Sequence, residues 1–159
     1  MFKSVMTTFI CLALLAGAKQ PALAQGGRPV GPAQGSIQNG VYIWPQAGIT
    51  LTLPASWVRY GYKWYEYWGD GSDPRRPAAE YVVEWVMVPS NPAYHEQALL
   101  TIAVYPTDAW NQIVAQGGPP PGTVIGRNAS YVYVISTPQS NPYPEGTVDA
   151  ARFDQLYTS

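Results

Sequence analysis

A series of short apolar segments, each ended by proline or glycine, constrains the fold of this chain more than any other feature. Between residues 48 and 54, apolar and threonine side chains alternate, which is typical of a strand with one buried face. Proline closes such segments because it has no amide hydrogen to donate to a neighbouring strand. The sequence therefore predicts a β-rich domain. The predicted strands cover 41–44, 48–54, 62–68, 79–89, 98–106, 123–127 and 130–136, the last two as a hairpin.

Two other segments have the pattern of helices. Residues 107–116 begin with Thr107, a suitable N-cap, and their apolar residues recur every three to four positions. In residues 147–157, Thr147 takes the capping role. We therefore predict a single α+β domain over residues 40–159, with a mainly antiparallel sheet and two helices packed on one face. A curled sandwich plugged by the helices is the alternative.

The amino-terminal residues match a secretory signal peptide. Lys3 provides the positive start, an apolar run follows, and Ala22-Leu23-Ala24 is a small-residue cleavage site. An uncleaved anchor is the alternative, but the run has only about a dozen apolar residues and a bilayer requires about 20. We expect residues 1–24 to be removed and 25–39 to form a flexible Gly/Pro/Gln-rich leader. The protein is then periplasmic or secreted, with no transmembrane segment after cleavage.

Charge and cysteine content exclude several classes of partner. Without the signal peptide the chain loses Lys3 and Lys19, which leaves seven basic and ten acidic residues and a net charge of about −3. Such a chain lacks the basic face by which nucleic acids are bound. Cys11, inside the signal, is the only cysteine, and His95 is the only histidine. The common zinc sites are thereby excluded, and we predict neither a metal nor a cofactor.

Residues 60–68 form a dense aromatic stretch in a chain with 13% aromatic and only 12% charged residues. If the stretch is one strand, both of its faces carry rings, and both are hard to bury at once. One face should therefore display Trp and Tyr, which are frequent binding hot spots, with arginines nearby that can pair carboxylates. The alternative is that the tyrosines only make cross-strand pairs that cover the sheet. The predicted binding residues are Trp64, Tyr65, Tyr67, Trp68, Arg75 and Arg76.

Catalytic interpretations find little support in the sequence. No Gly-x-Ser-x-Gly motif surrounds a serine, and His95 lies alone in a predicted loop. A glycosidase would require two carboxylates across a cleft. A calcium site is not predicted either, because the turn at 70–73 offers too few ligand oxygens. The candidate carboxylates are Glu66, Asp70, Asp73, Glu80 and Glu84. We predict no catalytic residues.

Three segments resemble a family of small secreted or lipid-anchored bacterial domains with no assigned activity. The likeness is carried by "GITLTLPASW" (48–57), "LLTIAVYPTDAW" (99–110) and "YVYVISTPQSNPYPEGTVDAARFDQL" (131–156). The Leu-Pro-x-x-Trp element and the order of elements are also similar to the Mog1/PsbP-like α+β sandwich. Both resemblances imply a non-enzymatic module, and neither supplies catalytic residues.

These observations lead to one functional prediction and two alternatives. We predict an exported, non-catalytic binding domain that acts as a protein-binding or inhibitor-like accessory module. Glycan or cell-wall binding through Trp64 and Trp68 is the first alternative, because exposed indole rings stack on sugars. A small glycan-active enzyme that depends on Glu66 or Glu84 is the second.

Overall fold

The computed structural model describes residues 35–60, 62–68, 75–76 and 78–158. Its elements, in chain order, are β1 (Ser36–Gln38), β2 (Val41–Trp44), β3 (Ile49–Thr52), α1 (Ala55–Tyr60), β4 (Lys63–Trp68), β5 (Tyr81–Met87), β6 (Gln97–Pro106), α2 (Thr107–Ala115), β7 (Thr123–Arg127), β8 (Tyr131–Ser136) and α3 (Val148–Tyr157). The predicted signal peptide lies outside the described residues. Most of the predicted leader lies outside them too, whereas its residues 36–38 form β1.

The strands form two antiparallel sheets, and the predicted α+β class is confirmed. The smaller sheet has the order β1-β2-β3, and the larger has the order β4-β5-β6-β8-β7. Every strand predicted from the sequence overlaps an observed one, and β7 pairs with β8 as the predicted hairpin. Strand β4, which carries the aromatic stretch, is one edge of the larger sheet.

The main core lies between the two sheets and also receives α1 and α3. The alternation in β3 buries Ile49 and Leu51, as its sequence predicts, and the smaller sheet packs them against the larger one. Seven of the twenty buried residues of this core are aromatic, and each aromatic side chain buries about 150–250 Å². The largest of its fully buried side chains are Trp44, Trp85, Tyr42 and Phe153.

The opposite face of the larger sheet, here called the α2 face, holds a second and smaller core. Trp110 of α2 packs there on Tyr105, with 5.5 Å between the ring centroids. Helices α2 and α3 thus cover opposite faces of the sheet, which differs from the predicted arrangement on one face. The reason is that β5, β6 and β8 are apolar on both faces, so each face requires a cover.

The helix ends agree with the sequence in one case and not in the other. Thr147 caps α3, because its Oγ1 accepts a hydrogen bond from the Ala150 amide at 3.1 Å. The predicted cap at Thr107 is wrong: Pro106 is the N-cap of α2, and no side chain caps it. Helix α1 was not among the predicted helices, and its Trp57 Nε1 donates to the carbonyl oxygen of Leu156 at 2.9 Å, which joins α1 to α3.

Candidate functional site

Strand β4 displays aromatic side chains on both of its faces. The strand alternation sends Trp64 toward the main core side and Tyr65 toward the α2 face. The two residues are 37% and 39% exposed, which places them among the few exposed large apolar side chains of the described residues. The sequence predicted aromatic exposure on one face of this strand, and both faces have it. We refer to Trp64, Tyr65 and the half-buried Tyr67 as the β4 aromatic surface.

Trp64 is held by a carboxylate on its own strand. Its indole Nε1 donates to Oε1 of Glu66 at 3.1 Å, a contact that two residues on the same face of a strand can make. The Trp64 ring also packs edge-on against Tyr42, with 6.5 Å between centroids, and at a tilt on Tyr62, at 6.4 Å. The indole orientation is therefore fixed by one hydrogen bond and two ring contacts.

Glu66 also joins β4 to the smaller sheet. Its Oε1 accepts from the Gly35 amide at 2.9 Å and from the Tyr42 hydroxyl at 2.8 Å. Burial first, and then the hydrogen bond to Glu66, raise the pKa of the Tyr42 hydroxyl far above its ordinary value, so Tyr42 remains a donor. A side chain at position 35 would overlap the Tyr42 ring, and the close approach of the two requires glycine.

Tyr65 is held by a carboxylate from a loop. Its hydroxyl donates to Oε2 of Glu96 at 2.6 Å, and Nζ of Lys63 lies 2.8 Å from Oε1 of the same carboxylate. The hydrogen bonds from Lys63 and then Tyr65 lower the pKa of Glu96, and the bond to Glu96 raises the pKa of Tyr65. Trp64 and Tyr65 thus each donate their polar hydrogen to a carboxylate. Within the described part of the chain, only the carboxylate beside Tyr65 is also paired with a cation.

A row of polar side chains continues from Tyr65 across the α2 face. Tyr65 is opposite Glu84, Glu84 opposite Thr101, and Thr101 opposite Ser136, so the four share one face of successive strands. We call these four residues the polar row. The row lies beside the apolar part of the face that α2 covers.

Arg75 and Arg76 reach the polar row from the β4–β5 connection. The Arg75 guanidinium contacts Glu84 in two places, with Nη1 3.0 Å from Oε1 and Nη2 3.1 Å from Oε2. Nη2 of Arg76 donates to Oγ of Ser136 at 3.0 Å. Both guanidinium groups therefore have partners inside the fold, and we assign both arginines an anchoring role for the base of this connection.

The structure brings the predicted binding residues together only in part. Tyr65, Tyr67, Arg75 and Arg76 share the α2 face, whereas Trp64 lies on the other face of β4. Trp68 ends β4, and its side chain is outside the described residues. The predicted turn at 70–73, with Asp70 and Asp73, lies outside them as well.

Two of the carboxylates considered for glycoside hydrolysis, Glu66 and Glu84, are not arranged as a pair. Glu66 is opposite Val83 and faces the main core side, whereas Glu84 is opposite Tyr65 and faces α2. Glu80 accepts a hydrogen bond from the Tyr131 hydroxyl at 2.9 Å. Two carboxylates that act on one glycosidic bond must flank the same space. Glu66 and Glu84 lie on opposite faces of a sheet and cannot do so.

A shallow groove of about 380 Å³ lies between residues 141–147 and α3. Asn141 crosses it, since its Nδ2 donates to the Ala150 carbonyl at 2.8 Å and to Oδ1 of Asp154 at 2.9 Å. This groove contains none of the predicted site residues, and its polar groups are used to attach the loop to α3.

Three residues of the site were not predicted from the sequence. Gly35 and Tyr42 reach Glu66 from a different sheet, and Glu96 reaches Tyr65 from a loop 31 residues away along the chain. The only local signal was the spacing of Trp64 and Glu66, which puts both on one face of a strand.

No protein-family model matches the chain, and no curated protein or solved structure is significantly similar to it. The resemblances to small exported bacterial domains and to the Mog1/PsbP-like sandwich therefore stay predictions. Within the described ranges, no helix is long and apolar enough to cross a membrane. The same ranges contain no group of three or more His, Cys, Asp or Glu residues that could hold a metal ion.

Proposed function

We propose that the protein is an exported, non-catalytic domain that binds a protein partner through the β4 aromatic surface, as an accessory or inhibitor-like module. The proposal is carried by one observation: Trp64 and Tyr65 are exposed neighbours on an edge strand, and a carboxylate fixes each of them. Export to the periplasm or the exterior is supported by the signal-like residues 1–24.

Fixed aromatic side chains favour binding because less freedom is lost when a partner covers them. Ordering a mobile side chain at an interface costs about 0.5–1.5 kcal/mol, and a ring that is already held avoids much of that cost. Trp and Tyr are also the residue types that most often contribute large binding energies. Scattered exposed rings are common on proteins, but rings held by carboxylates at a sheet edge are better suited to recognition.

Site-specific photo-crosslinking in the native host tests this proposal. A photo-crosslinking amino acid is placed at position 65, and, as matched controls, at the exposed positions 114 on α2 and 148 on α3. We expect a protein adduct of defined mass at position 65 and none at the two controls. A Trp64→Ala substitution in the same chain should reduce the yield of that adduct severalfold.

Two results would contradict the proposal. Equal adducts at all three positions would mean that the crosslinker reports only exposure. A chain that is folded by circular dichroism, yet gives no adduct at position 65, would exclude a protein partner at this surface.

Glycan binding is a second candidate, favoured by the exposed face of Trp64 beside a carboxylate. Cell-wall sacculi should then sediment the wild-type protein but not a folded Trp64→Ala plus Trp68→Ala variant. If neither protein sediments, wall binding is excluded and the protein-partner proposal stands alone.

A further inference from the structure

Among the residues that the structure describes, the Glu66 carboxylate differs from those of Glu84 and Glu96 in having only uncharged donors. It accepts from the Gly35 amide, the Tyr42 hydroxyl and the Trp64 indole, all through Oε1. Its Oε2 is buried and has no hydrogen-bond partner among the described residues. No lysine or arginine side chain that the structure describes forms an ion pair with it, whereas Glu84 and Glu96 each have one.

This carboxylate lies beside a cluster of three aromatic rings and contacts two of the three residues, Tyr42 and Trp64. Tyr42 is fully buried, Tyr62 is half-buried, and Trp64 exposes its ring to solvent. The faces of aromatic rings carry a negative partial charge that attracts cations, and indole is the strongest of the common rings in this respect. Because the Trp64 indole N–H donates to the Glu66 carboxylate, the negative charge of Glu66 also attracts a cation to this ring.

We propose that the exposed face of Trp64, backed by Glu66, is a binding site for an organic cation, namely an arginine guanidinium of the protein partner. This inference rests on the proposed function and deepens it, because it gives the chemistry of the partner group. Arginine fits better than lysine because its planar group stacks on a ring and is more weakly hydrated. The guanidinium does not need to contact the buried Oε2 of Glu66, because the electrostatic attraction of the carboxylate extends beyond contact distance.

The polar hydrogens of the surface support a cation rather than a neutral ligand. The Trp64 indole and the Tyr65 hydroxyl already donate to carboxylates, so neither donor is left for an acceptor on a ligand. What Trp64 offers is a ring face and the negative charge of Glu66. A carboxylate-bearing or phosphate-bearing ligand would be repelled there.

The test follows the Trp64 indole N–H by NMR while a small probe is added to the full chain. The probe is N-acetyl-arginine methylamide, and the control probe is the citrulline analogue, which has the same shape without the charge. We expect a saturable shift of the Trp64 signal with arginine, and binding at least about fivefold weaker with citrulline. Raising the salt concentration should weaken arginine binding without any substitution.

Matched variants separate the charge of Glu66 from the fold. Glu66→Gln should weaken arginine binding about fivefold, whereas Glu145→Gln, the same loss of charge at an exposed position away from β4, should leave it unchanged. Circular dichroism confirms that both variants are folded. If Glu66→Gln does not fold, the salt dependence and the citrulline comparison on the wild-type chain still decide the question.

Three results would overturn the inference: no shift with arginine, an equal shift with citrulline, or a shift only with an N-acetylglucosamine oligomer, which would favour the glycan alternative. The first two leave the crosslinking experiment untouched. A positive crosslink at position 65 with no response to arginine would therefore keep the protein partner and reject the cation site.

Discussion

The two faces of the larger sheet differ in the size of the core that covers them and in the number of polar contacts beside it. On the main core side, rings from both sheets and from α3 pack together, with Trp85 in edge contact with Tyr42 at 5.0 Å. On the α2 face the core is smaller, is covered by one short helix, and gives way to the polar row and its arginine anchors. A large apolar core covers one face, and a small core together with ion pairs and hydrogen bonds covers the other.

The difference indicates where the stability of the fold is concentrated. Buried rings contribute through area that is removed from water, at about 25 cal/mol per Å². A buried ion pair, in contrast, costs desolvation that its own attraction only partly offsets. The main core should therefore hold most of the stability, and the α2 face should be more tolerant of substitution. Four substitutions test this contrast, from the largest expected effect to the smallest.

Trp85→Ala should have the largest effect. Trp85 is fully buried against Tyr42 and Trp57, and its removal leaves a cavity that rigid neighbours cannot fill. We expect a loss of about 3–5 kcal/mol in the free energy of unfolding, measured by chemical denaturation. Trp110→Ala, on the α2 face, should cost less because a nine-residue helix can shift into the space. Equal losses would contradict the contrast.

Arg75→Ala should have the next largest effect. Its carboxylate partner is only 8% exposed at the side chain, but Arg75 itself is 54% exposed, so the cost of an unpaired buried charge is reduced by solvent. We expect a loss of about 1–2 kcal/mol in unfolding free energy. In a double-mutant cycle, the Arg75→Ala plus Glu84→Gln variant should lose less unfolding free energy than the sum of the two single losses. Full additivity of the two substitutions would show that the pair does not interact.

Asp149→Asn should change the dependence of stability on pH. The Asp149 carboxylate accepts from the Ser90 amide at 2.6 Å and the Asn91 amide at 3.0 Å, and the backbone hydrogen bond from Ser90 first, then that from Asn91, lowers its pKa in the fold. A lowered pKa stabilises the fold above the unfolded value of about 3.9, and this stabilisation is lost as the pH falls through the folded value.

The difference in denaturation midpoint between wild type and Asp149→Asn should therefore be greatest near pH 7 and should shrink in acid. A difference that is constant with pH would mean that shape, and not charge, holds this contact.

Lys63→Ala should have the smallest effect. Lys63 and Glu96 are 56% and 30% exposed at the side chain, and solvent-exposed ion pairs contribute little. We expect no change in the denaturation midpoint beyond experimental error, at low or high salt. A destabilisation as large as that of Arg75→Ala would remove the distinction between the two ion pairs of the α2 face.

Local patterns were enough to predict most of the strands and the fold class. Strand β3 could be predicted because its alternation of apolar and polar residues is a local pattern. Helix α3 could be predicted because its N-cap and its periodic apolar residues are local as well. β1 was missed because three residues, Ser36–Gln38, carry no pattern and depend on β2 for their pairing. The faces that α2 and α3 cover could not be predicted, because a strand such as β6 is apolar on both faces and does not indicate which helix covers which face.

The candidate site was predicted by composition but not by geometry. Trp64 and Tyr65 were singled out because they lie in an aromatic stretch, and both are exposed. Their fixation depends on Gly35, Tyr42 and Glu96, which come from distant parts of the chain. The sequence could place Arg75 and Arg76 near the aromatic stretch, but it could not reveal that Glu84 and Ser136 lie within reach of them.

The hydrogen bond from Gly35 to Glu66 has a mechanical consequence. The Glu66 carboxylate joins the Gly35 amide and the Tyr42 hydroxyl to strand β4, so a displacement of residue 35 relative to β4 would strain this bond. The same carboxylate holds the Trp64 indole, and strain there would loosen the ring that the proposed partner covers. Binding at Trp64 and displacement of residue 35 would then act against each other through one side chain, Glu66.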